Sequence, residues 1–176
     1  MDKIIFTGPM GAGKTTAIAS ISEIPPISTE VRCSDEEGQA RKETTTVAMD
    51  YGYFTLDDSA RVHLYGTPGQ ERFNYMWTIL TQGGIGLVLL LDNARPSPIE
   101  DMVFYLNAFR EFIETTGVVI GVTRMDVNNQ HSLDDYRAKL FELGHIYPLF
   151  EVDARQSEDV KILIHALLAI LQANME

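Results

Sequence analysis

The segment Gly8-Pro9-Met10-Gly11-Ala12-Gly13-Lys14-Thr15 constrains this chain more than any other. It follows a short apolar run from Lys3 to Thr7 and precedes helically spaced apolar residues from Lys14 to Ser22. It satisfies G-x-x-x-x-G-K-[ST] in the strand–loop–helix context that this pattern requires. Glycines let successive N–H groups turn inward around a phosphate. The helix beginning near Lys14 points the positive end of its dipole at the same place. Gly8, Met10, Gly11, Ala12, Gly13, Lys14, Thr15 and Thr16 are therefore expected to hold the phosphates. Lys14 would reach the β and γ phosphates, and the Thr15 hydroxyl would ligate Mg2+. The loop speaks for a nucleoside triphosphate, but it names neither the base nor hydrolysis.

The rest of the chain alternates. Pro25 and Pro26 stop the first helix, and the polar stretch from Ser28 to Glu43 reads as a long mobile loop. Thr44 to Leu56 and Arg61 to Tyr65 read as two strands of a hairpin. Glu71 to Gln82 is helical in propensity. Gly84 to Asp92 is a strand buried on both faces, followed by a helix from about Ile99 to Thr115. Val118 to Thr123 and Leu149 to Val152 are further strands. Ser132 caps a helix running to Leu143, and Ser157 opens the last one. This predicts an α/β fold with a doubly wound, mostly parallel sheet of six strands, one antiparallel edge strand and five helices. With 176 residues, no internal repeat and no linker, residues 1–176 are read as one domain.

Charge narrows the possible partners. Lys and Arg total 14 against 25 Asp and Glu, a formal net charge of -11. Such a surface disfavours nucleic-acid backbones and acidic lipid. The single cysteine, Cys33, excludes an internal disulfide and a cysteine cluster for zinc, and fits a bystander thiol in a reducing compartment. The longest apolar run, Ile85 to Leu91, is far short of the ~18 residues that span a bilayer. The N-terminal text lacks a signal pattern, with Asp2 where myristoylation needs glycine, and Gln-Ala-Asn-Met-Glu at the C-terminus is no prenylation box. A cytoplasmic protein is expected.

Three further segments each follow a strand. Gly66-Thr67-Pro68-Gly69-Gln70-Glu71-Arg72-Phe73 resembles the second switch of Ras-like GTPases, where D-x-x-G-Q-E is usual. Thr123-Arg124-Met125-Asp126 resembles the guanine-specificity text N-K-x-D, and Asp153-Ala154-Arg155 resembles the S-A-K loop. They occur in the family's order and approximate spacing. With the phosphate loop they cover nearly the whole chain, so it resembles a small Ras-like GTPase. The run Thr44-Thr45-Thr46-Val47-Ala48-Met49-Asp50-Tyr51-Gly52, with Gly-Thr-Pro-Gly-Gln, looks closer to a prokaryotic branch. That branch is similar to the gliding-motility and polarity switch, and its members are often encoded beside roadblock-type regulators. The resemblance implies a roadblock-type partner.

It also implies roles. Asp126 would accept hydrogen bonds from guanine N1–H and the exocyclic amine, donors that adenine lacks in that arrangement. Thr123 and Arg155 belong to the same base loops. The Ala154 N–H would meet guanine O6, and Arg124 would lie over the base. Gln70 would orient the attacking water and the Gly69 N–H would touch the γ phosphate. Thr46, with Thr45 as the other choice, would ligate Mg2+ when the γ phosphate is present. The implied function is a GTP-binding switch with slow hydrolysis, its mobile loops near Arg41–Thr46 and Thr67–Phe73. The competing reading is a nucleotide-binding scaffold with little hydrolysis, and a small-molecule kinase is disfavoured by Asp126, Ala154 and the acidic balance.

The sequence departs from the family at several places. Gly66 stands where an Asp usually holds Mg2+ through water, and a glycine cannot do so. Asp92, at the end of a strand with Walker B form, is one substitute; it also reads simply as the end of a buried strand. Met10 would obstruct an activator's arginine, which points to an arginine in cis, Arg41 or Arg72. The last helix has a wide apolar arc that suits burial against a sheet and a neighbouring helix, with partner binding as the sharper alternative. His63, His131, His145 and His165 have no metal-ligand spacing.

Overall fold

The computed structural model describes residues 2–34, 44–57, 60–68, 77–127 and 130–176. Its strands are β1 (Asp2–Thr7), β2 (Ile27–Ser34), β3 (Thr44–Leu56), β4 (Ala60–Gly66), β5 (Gly86–Asp92), β6 (Val118–Thr123) and β7 (Leu149–Glu151). Its helices are α1 (Lys14–Ile21), α2 (Trp77–Leu80), α3 (Pro98–Ala108), α4 (Arg110–Thr115), α5 (Leu133–Glu142) and α6 (Ser157–Met175). The sheet has seven strands in the order β2-β3-β4-β1-β5-β6-β7. β3 runs antiparallel to both its neighbours, and every other pairing is parallel.

Burial explains the order. All residues of β5 and β6 are buried, which suits strands covered on both faces. Alternation along β5 sends Leu87, Leu89 and Leu91 to one core, with α3, α4 and α5. Val88 and Leu90 go to the other, under α1 and α6. Helix α6 lies close to the sheet because two strand positions lack side chains. A Cβ at Gly86 would come within 2.9 Å of Leu167, and one at Gly121 within 2.9 Å of Leu163. Glycine inside a strand commonly marks such an approach. The wide apolar arc of α6 is thus buried through Val160, Leu163, Ile164 and Leu167, while Ile162 stays exposed.

The α/β class, the mostly parallel sheet and the antiparallel strand agree with expectation, but the counts do not. The polar stretch from Ser28 begins as a strand rather than a loop, since β2 pairs with β3 from Ile27↔Tyr51 to Ser34↔Thr44. The segment Thr29-Glu30-Val31-Arg32-Cys33 alternates β-branched or small apolar residues with charges, a pattern tolerated on an edge strand. β2 therefore takes the outermost place, and β3 sits one position in. The six expected strands become seven, and the five expected helices become six among the described residues. The helix expected from Ile99 to Thr115 divides at Phe109, whose backbone (φ -101°, ψ 16°) leaves helical geometry. Phe109 is buried and stacks on Trp77 with ring centroids 4.9 Å apart. Of the helix expected from Glu71 to Gln82, the part Trp77–Leu80 is helical, and residues 71–76 lie outside the described set.

The difference between the two faces of α6 gives a stability test. Leu167→Ala should destabilise the chain by about 2–5 kcal/mol. Ile162→Ala, at a half-exposed position, should cost no more than about 0.5 kcal/mol. Urea unfolding of both variants measures the difference, and equal costs would contradict the packing described.

Candidate functional site

The parallel strands β1, β5, β6 and β7 all end on the same side, and four loops meet there, as is usual where an open α/β sheet binds its ligand. The first loop, Gly8 to Gly13, is pressed onto β5. Gly8 has φ 143°, and a Cβ there would sit 2.0 Å from the carbonyl oxygen of Leu90. Only glycine fits that place. Gly13 caps α1 in the left-handed region (φ 99°) without any side-chain hydrogen bond to the helix N-terminus. The first N–H groups of α1 are thus left to a ligand.

Lys14 is buried at 8% exposure. Its ammonium donates to the carbonyl oxygens of Gly8 and Pro9, the latter at 3.0 Å. Burial pulls its pKa down to about 8, partly opposed by the carboxylate of Asp50 and reinforced by Arg95. Arg95 is itself paired with Asp101 at 2.7 Å. The Thr15 hydroxyl donates to the Asp50 carboxylate on β3. Thr67 is fixed beside the loop, its N–H donating to Phe6 O at 2.9 Å and its hydroxyl lying 2.9 Å from that of Thr7.

The phosphate loop opens into a cavity of about 650 Å3. One wall is Gly11, Ala12, Gly13 and Thr16; the others are Thr123 to Val127 and Glu151 to Arg155. Thr123, Arg124, Asp126, Ala154 and Arg155 are therefore brought together with the loop. Thr123 is buried, and its hydroxyl donates to Ala12 O at 3.2 Å and Leu91 O at 3.0 Å. It braces the loop rather than offering a group to the cavity. Ala154 packs against the loop so closely that a Cβ at Gly13 would lie 2.9 Å from the Ala154 Cβ.

The charges around the cavity are largely matched. Arg124, with φ 58°, reaches Asp92 at 3.2 Å. Asp92 also accepts from the Ala94 N–H at 2.9 Å, so it serves the end of β5 and the Arg124 loop. Arg155 holds Asp153 through its side chain at 2.9 and 2.8 Å and through its own N–H at 3.0 Å. These bonds hold the Asp153 carboxyl down to about 2. The same pairing raises the Arg155 pKa, with the nearby Asp126 adding to it. Asp159, in the first turn of α6, accepts from the Asp153 N–H at 2.8 Å. Asp126 is exposed and carries no hydrogen bond or ion pair among the described residues.

Other candidates are not gathered here. Thr46 lies in β3 opposite Arg32 of β2. Its backbone is four positions from Asp50, about 13 Å at strand spacing, so it is not brought to Thr15. Met10 is exposed at the top of the loop. Arg41, Gly69, Gln70 and Arg72 lie outside the described residues. Sequence reasoning missed Asp50. Its signal was in the text Met49-Asp50-Tyr51, but its role depends on which residue of β4 it faces, and one sequence does not state that register. Among the described residues, no group of three or more His, Cys, Asp or Glu side chains forms a metal cluster. No described helix is long and apolar enough to cross a membrane.

Residues 6–173 match the family described as conserved hypothetical ATP binding protein. The chain is 22% identical over 179 residues to Ras-related protein Rab-8A of Bos taurus, covering 99% of this chain and 80% of that protein. It is 23% identical over 189 residues to Ras-related protein Rab-27B of Bos taurus, covering 99% of this chain and 81% of that protein. An uncharacterized protein of Methanocaldococcus jannaschii is 29% identical over 99 residues, so the matched part is 56% of this chain and 56% of that protein. With a phosphate loop of this geometry and a match over nearly its full length, the chain belongs to the conserved hypothetical ATP binding protein family, a family of P-loop nucleotide-binding proteins, and is distantly similar to Ras-related proteins.

Proposed function

We propose that residues 1–176 form a single small-GTPase domain, a switch that binds GTP with Mg2+, hydrolyses it slowly and signals the difference to a partner protein. The observation that carries this reading is Asp126. Among the acids lining the cavity, Asp153 is held by Arg155 and Asp159 by the Asp153 N–H, whereas the side chains of Asp126 and Glu151 carry no hydrogen bond or ion pair among the described residues. Of these two, Asp126 lies in the loop after β6 that the resemblance assigns to the base. A carboxylate there matches the N1–H and exocyclic amine of guanine, a pair of donors that adenine does not present in that arrangement. The Ala154 N–H, against the phosphate loop, suits guanine O6. Mg2+ would neutralise charge on the β and γ phosphates beside the Thr15 hydroxyl.

Lys14 and the N-terminus of α1 hold the phosphates. Gln70 and the Gly69 N–H are proposed to position the attacking water, with Arg41 as the candidate cis arginine. For Thr46 to reach the metal, that part of β3 has to leave its present pairing with β2, which makes the segment a natural site of the switch. The roadblock-type partner is what the likeness to the bacterial branch implies. A second reading, an ATP-binding protein, is favoured by the family's description and by Thr123 standing where Asn is usual. A third, a scaffold with little hydrolysis, is favoured by Gly66.

Titration of labelled GDP, GTP, ADP and ATP in millimolar Mg2+ separates these readings. Guanine nucleotides should bind at least about 100-fold more tightly than adenine nucleotides, and Asp126→Ala should lose about 10–100-fold of guanine affinity. Equal affinity for the two bases would remove the GTPase reading. Gln70→Ala should then lower GTP turnover about tenfold or more with GDP affinity unchanged, whereas unchanged turnover favours the scaffold.

Lys14 adds a pH dependence. Its pKa stands at about 8 without phosphate, and bound phosphate favours the ammonium. At pH 8 nucleotide binding should therefore take up about half a proton, and affinity should fall as pH rises further. Calorimetry at pH 8 in buffers of different ionisation enthalpy measures the uptake. A value of zero would contradict the assignment of Lys14.

A further inference from the structure

Gly66 ends β4 beside the phosphate loop and directly faces Asp50 of β3. The two positions compete for the same space. A Cβ added at Gly66 would meet the Asp50 Cβ at 3.3 Å and its Oδ2 at 3.5 Å, with Ile18 Cδ1 at 3.2 Å. The Asp50 carboxylate leans across the bare backbone of Gly66 and accepts the hydrogen bond of the Thr15 hydroxyl. Its charge is also felt by Lys14. Three observations thus converge on one carboxylate: its register opposite Gly66, its contact with Thr15, and the absence of any side chain at 66 that could take its place.

Asp92 does not fill that role. It is committed to the Ala94 N–H and to Arg124, on the base side of the cavity. The acids that line the cavity stand elsewhere: Asp126 follows β6, Glu151 ends β7, Asp153 lies in the loop after it and Asp159 is in the first turn of α6. Among the described residues, Asp50 alone sets a carboxylate against the Thr15 hydroxyl.

We infer that Asp50, reaching over Gly66 from the neighbouring strand, supplies the carboxylate that holds Mg2+ and its water beside Thr15, the task an acidic residue at position 66 would otherwise perform. The inference rests on the reading of this loop as a Mg2+–nucleotide site, and deepens it. The donor set fits: a hydroxyl and a carboxylate in contact at the end of α1 that receives phosphate, both hard oxygen ligands of the kind Mg2+ takes. Acting through water, Asp50 is a positioning residue, so its loss should change metal affinity more than nucleotide affinity.

The test follows release of a fluorescently labelled diphosphate from the full chain while Mg2+ is varied from EDTA to millimolar. The labelled nucleotide is GDP or ADP, whichever the wild type retains, so the outcome does not depend on the base. Wild-type release should slow as Mg2+ rises. Asp50→Ala should move the Mg2+ concentration for half-maximal slowing upward by about 10–100-fold, with release in EDTA little changed. Asp50→Ala combined with Gly66→Asp should bring the midpoint back toward wild type, because the new carboxylate occupies the space the old one left. Asp50→Asn, nearly isosteric, guards against a variant that merely fails to fold, and should also raise the midpoint. A wild-type midpoint in folded Asp50→Ala or Asp50→Asn would overturn the role of Asp50 while leaving nucleotide binding intact. A double variant no better than the single one would overturn the exchange with position 66. Wild-type release indifferent to Mg2+ would overturn the metal site itself, and Asp50 with it.

Discussion

The hydroxyl of Thr123 joins the two halves of the site. Its one proton is shared between the carbonyls of Ala12 and Leu91, at 3.2 and 3.0 Å, so the end of β6 is tied at once to the phosphate loop and to β5. Within the phosphate loop, the Lys14 ammonium ties together the carbonyls of Gly8 and Pro9. The loop turns through left-handed glycines, and its internal backbone contact from the Ala12 N–H to Pro9 O is 3.2 Å long. Held from below by β5 at Gly8 and from the side by Thr123 and Ala154, it keeps a fixed distance to the loop bearing Asp126. A site that reads phosphate and base together needs that distance fixed, because misplacing one end wastes the contacts at the other.

A chain with a formal net charge of -11 has to manage its own carboxylates where it receives an anion. It does so by pairing. Asp92 is taken by Arg124 and Asp153 by Arg155, and both pairs lie on the base side. Near the phosphates stand the buried Lys14 and the open end of α1, and there Asp50 is held by the Thr15 hydroxyl. Desolvated, the Lys14 ammonium is poorly satisfied by two carbonyl oxygens, and its lowered pKa measures that deficit. A phosphate placed beside the ammonium would supply the opposite charge that two carbonyls cannot. Arg124 and Arg155 neutralise their own neighbours, Asp92 and Asp153, and leave Asp126 with neither hydrogen bond nor ion pair among the described residues.

What the sequence made legible was local. The phosphate loop, the capping Ser132 and the apolar runs of β5 and β6 each depend on residues adjacent in the chain. Spacing and propensity therefore identify them. The order of the base loops was also legible, since each follows a strand and the strands are parallel. What failed was non-local. β2 was hidden because an edge strand carries charges and looks like a loop. The long helix divides at Phe109, which stacks on Trp77 of another element, a contact between residues far apart in the chain. Thr123 lines the cavity, but the bonds of its hydroxyl to backbone carbonyls 32 and 111 positions away in sequence could not be read from one segment. Asp50 was in plain view, but its place opposite Gly66 and against the Thr15 hydroxyl depends on register, and register is a property of two strands together.

The position of that carboxylate changes how the site is wired to the rest of the molecule. An acid at position 66 would belong to the segment that continues into Thr67 and Pro68, and any ion it held would pull on that segment. In this chain Thr67 is anchored to β1 instead, through Phe6 and Thr7. The link from Thr15 runs sideways to β3. β3 pairs along its N-terminal half with the edge strand β2 alone, so an ion held by Asp50, as proposed, would pull on an edge pairing. An edge hairpin has fewer partners to break than a central strand and so yields at lower cost. On the proposed role of Asp50, the metal end of the site would thus be tied to an edge pairing, while the cavity walls after β6 and β7 rest on strands of the parallel part of the sheet.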